Sequence, residues 1–201
     1  MIVVAPGMAL WDPARHAGWL AAVVIAVTAA CVVTAPVLVA LTWRKPAGLR
    51  CVLAVVLGLG IVVLARHAAE AAVFVQRPFV ADQFRPLFPH APDSSFPSAT
   101  TGYFAAAAVP VMACWRRLGW VLAAITAEVA FGCVFVGVHY VTDVLAGLVI
   151  GAGGSGVAWL ALGAPGISWL LAATDGGLRA VRLRPRPVPA RLTGRGPSRH
   201  A

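Results

Sequence analysis

Charge is what this chain has least of. Of 201 residues only 11% are Asp, Glu, Lys or Arg, seven of them acidic, against 60% hydrophobic, and the mean hydropathy is +0.86. A water-soluble domain carries about a quarter charged residues. That class is excluded, and the chain belongs in a bilayer. Cysteine is equally uninformative about metals. Cys31, Cys51, Cys114 and Cys133 stand singly in apolar stretches without paired ligand spacing, which indicates neither a zinc site nor a disulfide framework; they read as small apolar fillers. No internal repeat is visible, which argues against a transporter built from duplicated halves. The net charge of +9 comes from a tail, Arg179, Arg182, Arg184, Arg186, Arg191, Arg195 and Arg199, interleaved with proline and glycine and nearly free of aromatics. Such a tail reads as a disordered cytoplasmic extension attracted to anionic lipid, not as a nucleic-acid surface.

What is present is length of apolar sequence. A span needs about 20 mostly apolar residues, and residues 18–43, 49–65, 99–115, 118–138 and 141–163 meet or approach that, the second and third being short. The expected fold is all-α, a polytopic membrane helical bundle of about five transmembrane helices. Residues 164–174 are apolar over half a span and read as an interfacial or re-entrant piece, with a sixth span as the alternative. Thr28-Ala29-Ala30-Cys31 faintly resembles a lipoprotein cleavage site, but it lies in a segment of full spanning length, which reads as an uncleaved first helix. The chain divides into a membrane-embedded unit, 1–174, and a basic, disordered tail, 175–201.

Orientation follows from the basic residues, which cytoplasmic loops retain. Arg44, Lys45 and Arg50 lie between the first two spans, Arg116 and Arg117 between the third and fourth, and the tail arginines follow the fifth. Arg15, Arg66, Arg77 and Arg85 fall on the other side with Asp12, Glu70, Asp82, Asp93 and Asp143. The N-terminus is expected outside and the C-terminus in the cytoplasm.

Polar chemistry collects on that outer side. The connection 66–98 holds His67, Glu70, Arg77, Asp82, Arg85, His90, Asp93, Ser94, Ser95 and Ser98. Pro78, Pro86, Pro89, Pro92 and Pro97 forbid a continuous helix there, so it is a shaped loop with a helical start. The turn between the fourth and fifth spans faces the same side with His139, Tyr140, Thr142 and Asp143. His139 and Asp143 are four apart, so on a helical turn the carboxylate reaches one imidazole nitrogen and leaves the other as a free lone pair; alone, the pair also reads as a helix cap. Arg77-Pro78 and Pro97-Ser98 add a guanidinium fork, a hydroxyl and the amides of a helix start, which together suit a phosphate. Glu128 lies in mid-span, either as a functional group or as a protonated acid bonded to a neighbouring helix. Gly147, Gly151, Gly153, Gly154, Ser155 and Gly156 form a small-residue face for close helix packing.

In this order and at these separations, Arg77-Pro78, Pro97-Ser98 and His139-Tyr140-Val141-Thr142-Asp143 resemble the type 2 phosphatidic acid phosphatase family. The run Pro89-His90-Ala91-Pro92-Asp93-Ser94-Ser95-Phe96-Pro97-Ser98 is similar to its bacterial undecaprenyl-pyrophosphate phosphatase branch. The resemblance covers about 66–151. It implies that His139 attacks a terminal phosphorus with Asp143 as its orienter, that Arg77 and Ser98 bind phosphate, and that a second histidine protonates the leaving oxygen. The implied ligand is a polyprenyl diphosphate or related lipid phosphate at the extracytoplasmic face of the cell membrane. The mechanism requires neither metal nor cofactor, and no protein partner is specified.

Three family positions differ. Glu70 stands where the first block has lysine, and Gly132-Cys133 where the third has Ser-Arg. Ala99-Thr100 stand where the second block continues to its acid histidine, by substitution or by a two-residue deletion. General acid catalysis supplies about 10²–10⁴-fold, and charge stabilisation often more. A phosphatase of reduced activity is therefore expected, and a noncatalytic lipid-phosphate binder or scaffold for a partner is the rival. His90 and His67, both on the outer side, are the candidate replacements for the acid. The orientation is tested by reporter fusions: a fluorescent protein fused after Ala201 should fluoresce and alkaline phosphatase there should be inactive, the reverse pattern inverting the topology.

Overall fold

The computed structural model of the protein describes residues 18–83 and 90–182. Helix α1 is Gly18–Leu41, closed by a 3-10 turn Thr42–Arg44; α2 is Gly48–Ala72, α3 the single turn Pro78–Ala81, α4 Ala99–Cys114, α5 Arg116–Phe135, α6 Val141–Ala161 and α7 Pro165–Arg182. Helices α1, α2, α5 and α6 are long and apolar enough to cross a membrane, and α4 is a shorter apolar helix. The chain is an all-helical, multi-pass membrane protein, and its five apolar helices occupy the five segments expected.

Two boundaries move. Helix α2 runs on to Ala72 instead of ending near 65, because Arg66 to Ala72 holds good helix formers and no proline until Pro78. It thereby carries Arg66, His67 and Glu70 on its last turns. The stretch 164–174 is the first part of an 18-residue helix that continues to Arg182, so helix replaces the disorder expected from 175 up to that point. No proline interrupts the chain between Pro165 and Pro185, and its apolar residues, with Ile167, Trp169 and Leu170 exposed, suit a membrane surface. Asp12 and Arg15, Arg85 with Pro86 and Pro89, and the tail arginines from Arg184 onward lie outside the described residues.

Helix α4 is the centre of the bundle, flanked by α2, α5 and α6. Its 16 residues rise about 24 Å, less than the ~30 Å hydrocarbon core, and because its faces meet protein it need not match the lipid. Ala105, Ala106, Ala107 and Ala108 are all buried and keep its neighbours close. Helix α1 leans on α5 from outside, with Val23, Val27, Val32, Val33 and Val37 exposed, as suits side chains facing lipid. The hydroxyl of Thr28 donates across this contact to Glu128 Oε1 at 3.0 Å, the interhelical bond that one reading of Glu128 required. At the end of the bundle holding Lys45 and Arg50, the Arg50 guanidinium lies 4.0 Å from the Trp159 ring and its Nε donates to the Trp159 carbonyl at 3.1 Å. That places a cation on the last turn of α6, where the helix dipole favours it.

The small face of α6 lets α4 approach. A Cβ on Gly147 would collide with the Ser98 carbonyl oxygen and one on Gly151 with that of Gly102. Nothing but hydrogen fits at either position. Gly147→Ala should lower stability by about 1–3 kcal/mol, the range for overpacking a tight contact, whereas Gly153→Ala, whose Cβ meets nothing within 4 Å, should be neutral or mildly stabilising. Thermal unfolding in detergent micelles compares the two.

Candidate active site

The site forms where α2 and α5 end and α4 and α6 begin. Helix α5 closes with Gly137 at φ 84°; the Gly137 amide donates to the Val134 carbonyl and the Val138 amide to that of Cys133, at 3.1 and 3.2 Å. This is the Schellman pattern, in which a left-handed residue after the helix satisfies its last carbonyls. The His139 amide also reaches the Cys133 carbonyl, at 3.3 Å, and so the reversal into α6 holds His139 3% exposed. Asp143 is in the first turn of α6, where its Oδ2 accepts from the Tyr140 amide at 2.9 Å. It is both helix cap and histidine neighbour, the two roles the sequence left open.

Pro78 restricts the residue before it to extended backbone, and Arg77 has φ −66° and ψ 150°. Its side chain is buried. Nε donates to Asp93 Oδ1 at 2.8 Å, Nη1 donates to the Val138 carbonyl at 2.9 Å and lies 3.3 Å from His139 Nε2, while Nη2 is buried without a partner among the described residues. A guanidinium can only donate. Nε2 of His139 therefore presents its lone pair to Arg77, and the ring proton sits on Nδ1, on the side of Ser95 Oγ at 3.4 Å and Asp143 Oδ2 at 3.7 Å. Ser95 Oγ in turn donates to Asp143 Oδ2 at 2.5 Å.

Ser98 is the N-cap of α4, a position where serine ordinarily caps with its hydroxyl. Here the hydroxyl makes no cap bond and is buried without a partner among the described residues. The Ser98 amide donates instead to the Asp143 carbonyl at 3.0 Å, which ties the start of α4 to the His139 turn. The four residues expected to share a site, His139, Asp143, Arg77 and Ser98, thus converge, and two of them keep a buried donor unused.

The divergent positions have partners of their own. Glu70 pairs with Arg66 at 2.7 Å, so its charge is neutralised on its own helix. Arg66 also holds Asp93 Oδ2 at 2.7 Å, which puts a second guanidinium in the network. Cys133 is buried beneath the His139 turn, and Ala99 packs with Val62 and Ala106. Gly132 abuts the Thr28 hydroxyl, and Thr100 is half-buried on the first turn of α4. His67 is largely exposed and pairs with Glu70 at 3.6 Å, whereas the His90 ring stands edge-on to His139, centroids 6.4 Å apart. The roles of Ser95, Asp93 and Arg66 were not assigned from sequence. Their signal was the density of polar residues in the loop of an otherwise apolar chain.

Electrostatics follow this packing. Burial away from water pushes the His139 imidazole below its ordinary 6.5; the Asp143 carboxylate opposes that and the Arg77 charge adds to it. Burial would raise Asp93, but Arg77 and then Arg66 outweigh it and hold the carboxyl below its usual range.

The fold is shared with two solved structures. LpxE of Aquifex aeolicus superposes with a TM-score of 0.64 at 19% identity, over 79% of this chain and 98% of that one. The first transmembrane PAP2-type phosphatidylglycerolphosphate phosphatase from Bacillus subtilis gives 0.51 at 21%, over 84% and 80%. Residues 49–165, more than half the chain, match the PAP2 superfamily, and the chain belongs to it. It is also 40% identical over 77 residues to the undecaprenyl-diphosphatase BcrC of Bacillus subtilis (strain 168), a match spanning 38% of this chain and 40% of that protein.

The neutral state of His139 is testable without turnover. In a ¹⁵N-histidine NMR titration in micelles its midpoint should lie below 6.5, and Asp143→Asn should lower it further, because the opposing carboxylate is gone. A midpoint at or above 6.5 would contradict the effect of burial.

Proposed function

We propose that the protein is a lipid-phosphate phosphatase acting on a polyprenyl diphosphate through a phosphohistidine on His139, at the extracytoplasmic membrane face. The observation that carries this reading is the pair of unused buried donors, Arg77 Nη2 and Ser98 Oγ, on residues bonded to the His139–Asp143 turn. Buried donors without acceptors are rare because each forgoes a hydrogen bond worth about 1–3 kcal/mol, and phosphoryl oxygens are acceptors suited to both. The family membership supplies the reaction class, and the BcrC likeness suggests the diphosphate.

In this mechanism phosphoryl oxygens take over the Arg77 donors, which frees the Nε2 lone pair of His139 to attack the terminal phosphorus while Asp143 and Ser95 keep the proton on Nδ1. Arg77 and Ser98 stabilise charge gathering on the phosphoryl oxygens. The P–O bond to the leaving phosphate breaks, and water then releases the phosphoryl group from His139 as inorganic phosphate. A diphosphate suits a site whose usual acid position holds Thr100, because its leaving group departs as a stabilised anion.

Purified protein in detergent with chelator should release phosphate from a polyprenyl diphosphate. His139→Ala should reduce release to background, and Arg77→Gln should reduce it by about 10²–10³-fold, the range for loss of one charge-stabilising donor. Equal background from wild type and His139→Ala would favour the noncatalytic lipid-phosphate binder, a reading supported by Thr100 and Cys133 at the family's acid and arginine positions.

A further inference from the structure

Resting on that phosphatase reading, we infer that His90 is the proton donor to the leaving oxygen, in place of the histidine absent at Thr100. The rings of His90 and His139 are neighbours, their centroids 6.4 Å apart at an interplanar angle of 74°, so a phosphoryl group bonded to His139 would lie close to the second ring. Apo sites are looser than reacting ones, so a modest shift of the exposed loop brings the second ring within hydrogen-bond reach of an oxygen on that phosphorus.

The loop also presents the ring in a defined way. His90 Nδ1 lies 3.1 Å from the Ala91 carbonyl and 3.7 Å from Asp93 Oδ1. Both are acceptors, so Nδ1 carries a proton and Nε2, which has no bond among the described residues, is the nitrogen left to act. Asp93 is the same carboxylate that holds Arg77 and Arg66. One anion thus fixes the phosphate-binding guanidinium and lies beside the His90 ring. Among the described residues the ionisable groups facing His90 are Asp93 from its own loop and His139 from the α5–α6 turn, with Arg77 and Arg66 reaching it through Asp93. His67, the other candidate, is 71% exposed on α2 and turned to Glu70. The two histidines were equivalent in sequence; the fold separates them.

The step balances. His139 Nε2 forms a bond to phosphorus, the P–O bond breaks with its electron pair going to oxygen, and His90 Nε2–H gives that oxygen its proton. Neutral His90 then takes a proton from the attacking water, the P–N bond breaks with its pair returning to His139, and phosphate leaves. His90 ends as it began. An acid of this kind matters most when the leaving oxygen is a poor anion, so the site should accept a lipid monophosphate, whose leaving group is an alkoxide, as well as a diphosphate.

Dependence on the leaving group gives the test. Full-length protein in detergent is assayed with farnesyl monophosphate, which expels an alkoxide, and with p-nitrophenyl phosphate, which expels a stable phenolate. His90→Gln should lower kcat for the monophosphate by about 10²–10⁴-fold, the contribution of general acid catalysis, and for the aryl ester by less than tenfold. His67→Gln should leave the ratio of the two unchanged. An unaltered melting temperature of His90→Gln would establish that the loss is not one of folding. Equal losses on both substrates, or none on either, would overturn the role of His90 while leaving the phosphatase reading intact. Absence of phosphate release by the wild type from either ester and from the polyprenyl diphosphate would overturn that reading, and the role of His90 with it.

Discussion

A guanidinium buried at the end of an apolar helix bundle must be surrounded by acceptors, because a charge removed from water without partners is strongly unfavourable. Arg77 satisfies this at Nε and Nη1, with Asp93, the Val138 carbonyl and His139, leaving Nη2 for a ligand under the phosphatase reading. These partners come from two separate parts of the chain, the 90–98 loop and the α5–α6 turn. The 90–98 loop has to fold back over the end of α2 to bring Asp93, and it does so by pairing Ser95 with the Val75 carbonyl at 2.8 Å. The α5–α6 turn has to expose the Val138 carbonyl, which Gly137 makes possible by reversing the chain there. The geometry of the candidate site is largely the geometry of satisfying one arginine.

That demand can be met only because α4 and α6 pack without side chains between them. Gly147 and Gly151 put the α4 backbone directly on α6, so the amide of Ser98 reaches the Asp143 carbonyl and the start of α4 sits beside the histidine turn. Packing and chemistry are the same contact. This explains why the small face of α6 and the polar turn that begins it belong together in one helix.

The departures from the family pattern are accommodated by neighbours, not left as defects. Glu70 in place of lysine is balanced by Arg66, which passes a second cation to Asp93. The net effect is a local network in which Asp93, flanked by two arginines and close to His90, is the hub. Cys133, buried beneath the His139 turn, adds no charge to this network. A site of this kind favours leaving groups that need little help, unless a proton is delivered from the loop.

Hydropathy alone fixed the five apolar helices within a few residues, because a bilayer demands about 20 apolar residues per span and tolerates few exceptions. Residue type, helical separation and the family resemblance singled out His139, Asp143, Arg77 and Ser98 as a candidate set, and the fold brings them together. The extension of α2 to Ala72 and of α7 to Arg182 was missed, since polar helix formers outside the membrane carry no hydropathy signal. The contacts of Asp93, Ser95 and Arg66, and any choice between His90 and His67, were out of reach for a different reason. They depend on where an irregular, proline-rich loop folds, and that is set by contacts between residues distant in sequence. The sequence by itself determined a membrane bundle with a phosphate-suited set of side chains; only the tertiary structure decided which loop groups meet them, because no local periodicity records where a loop lands.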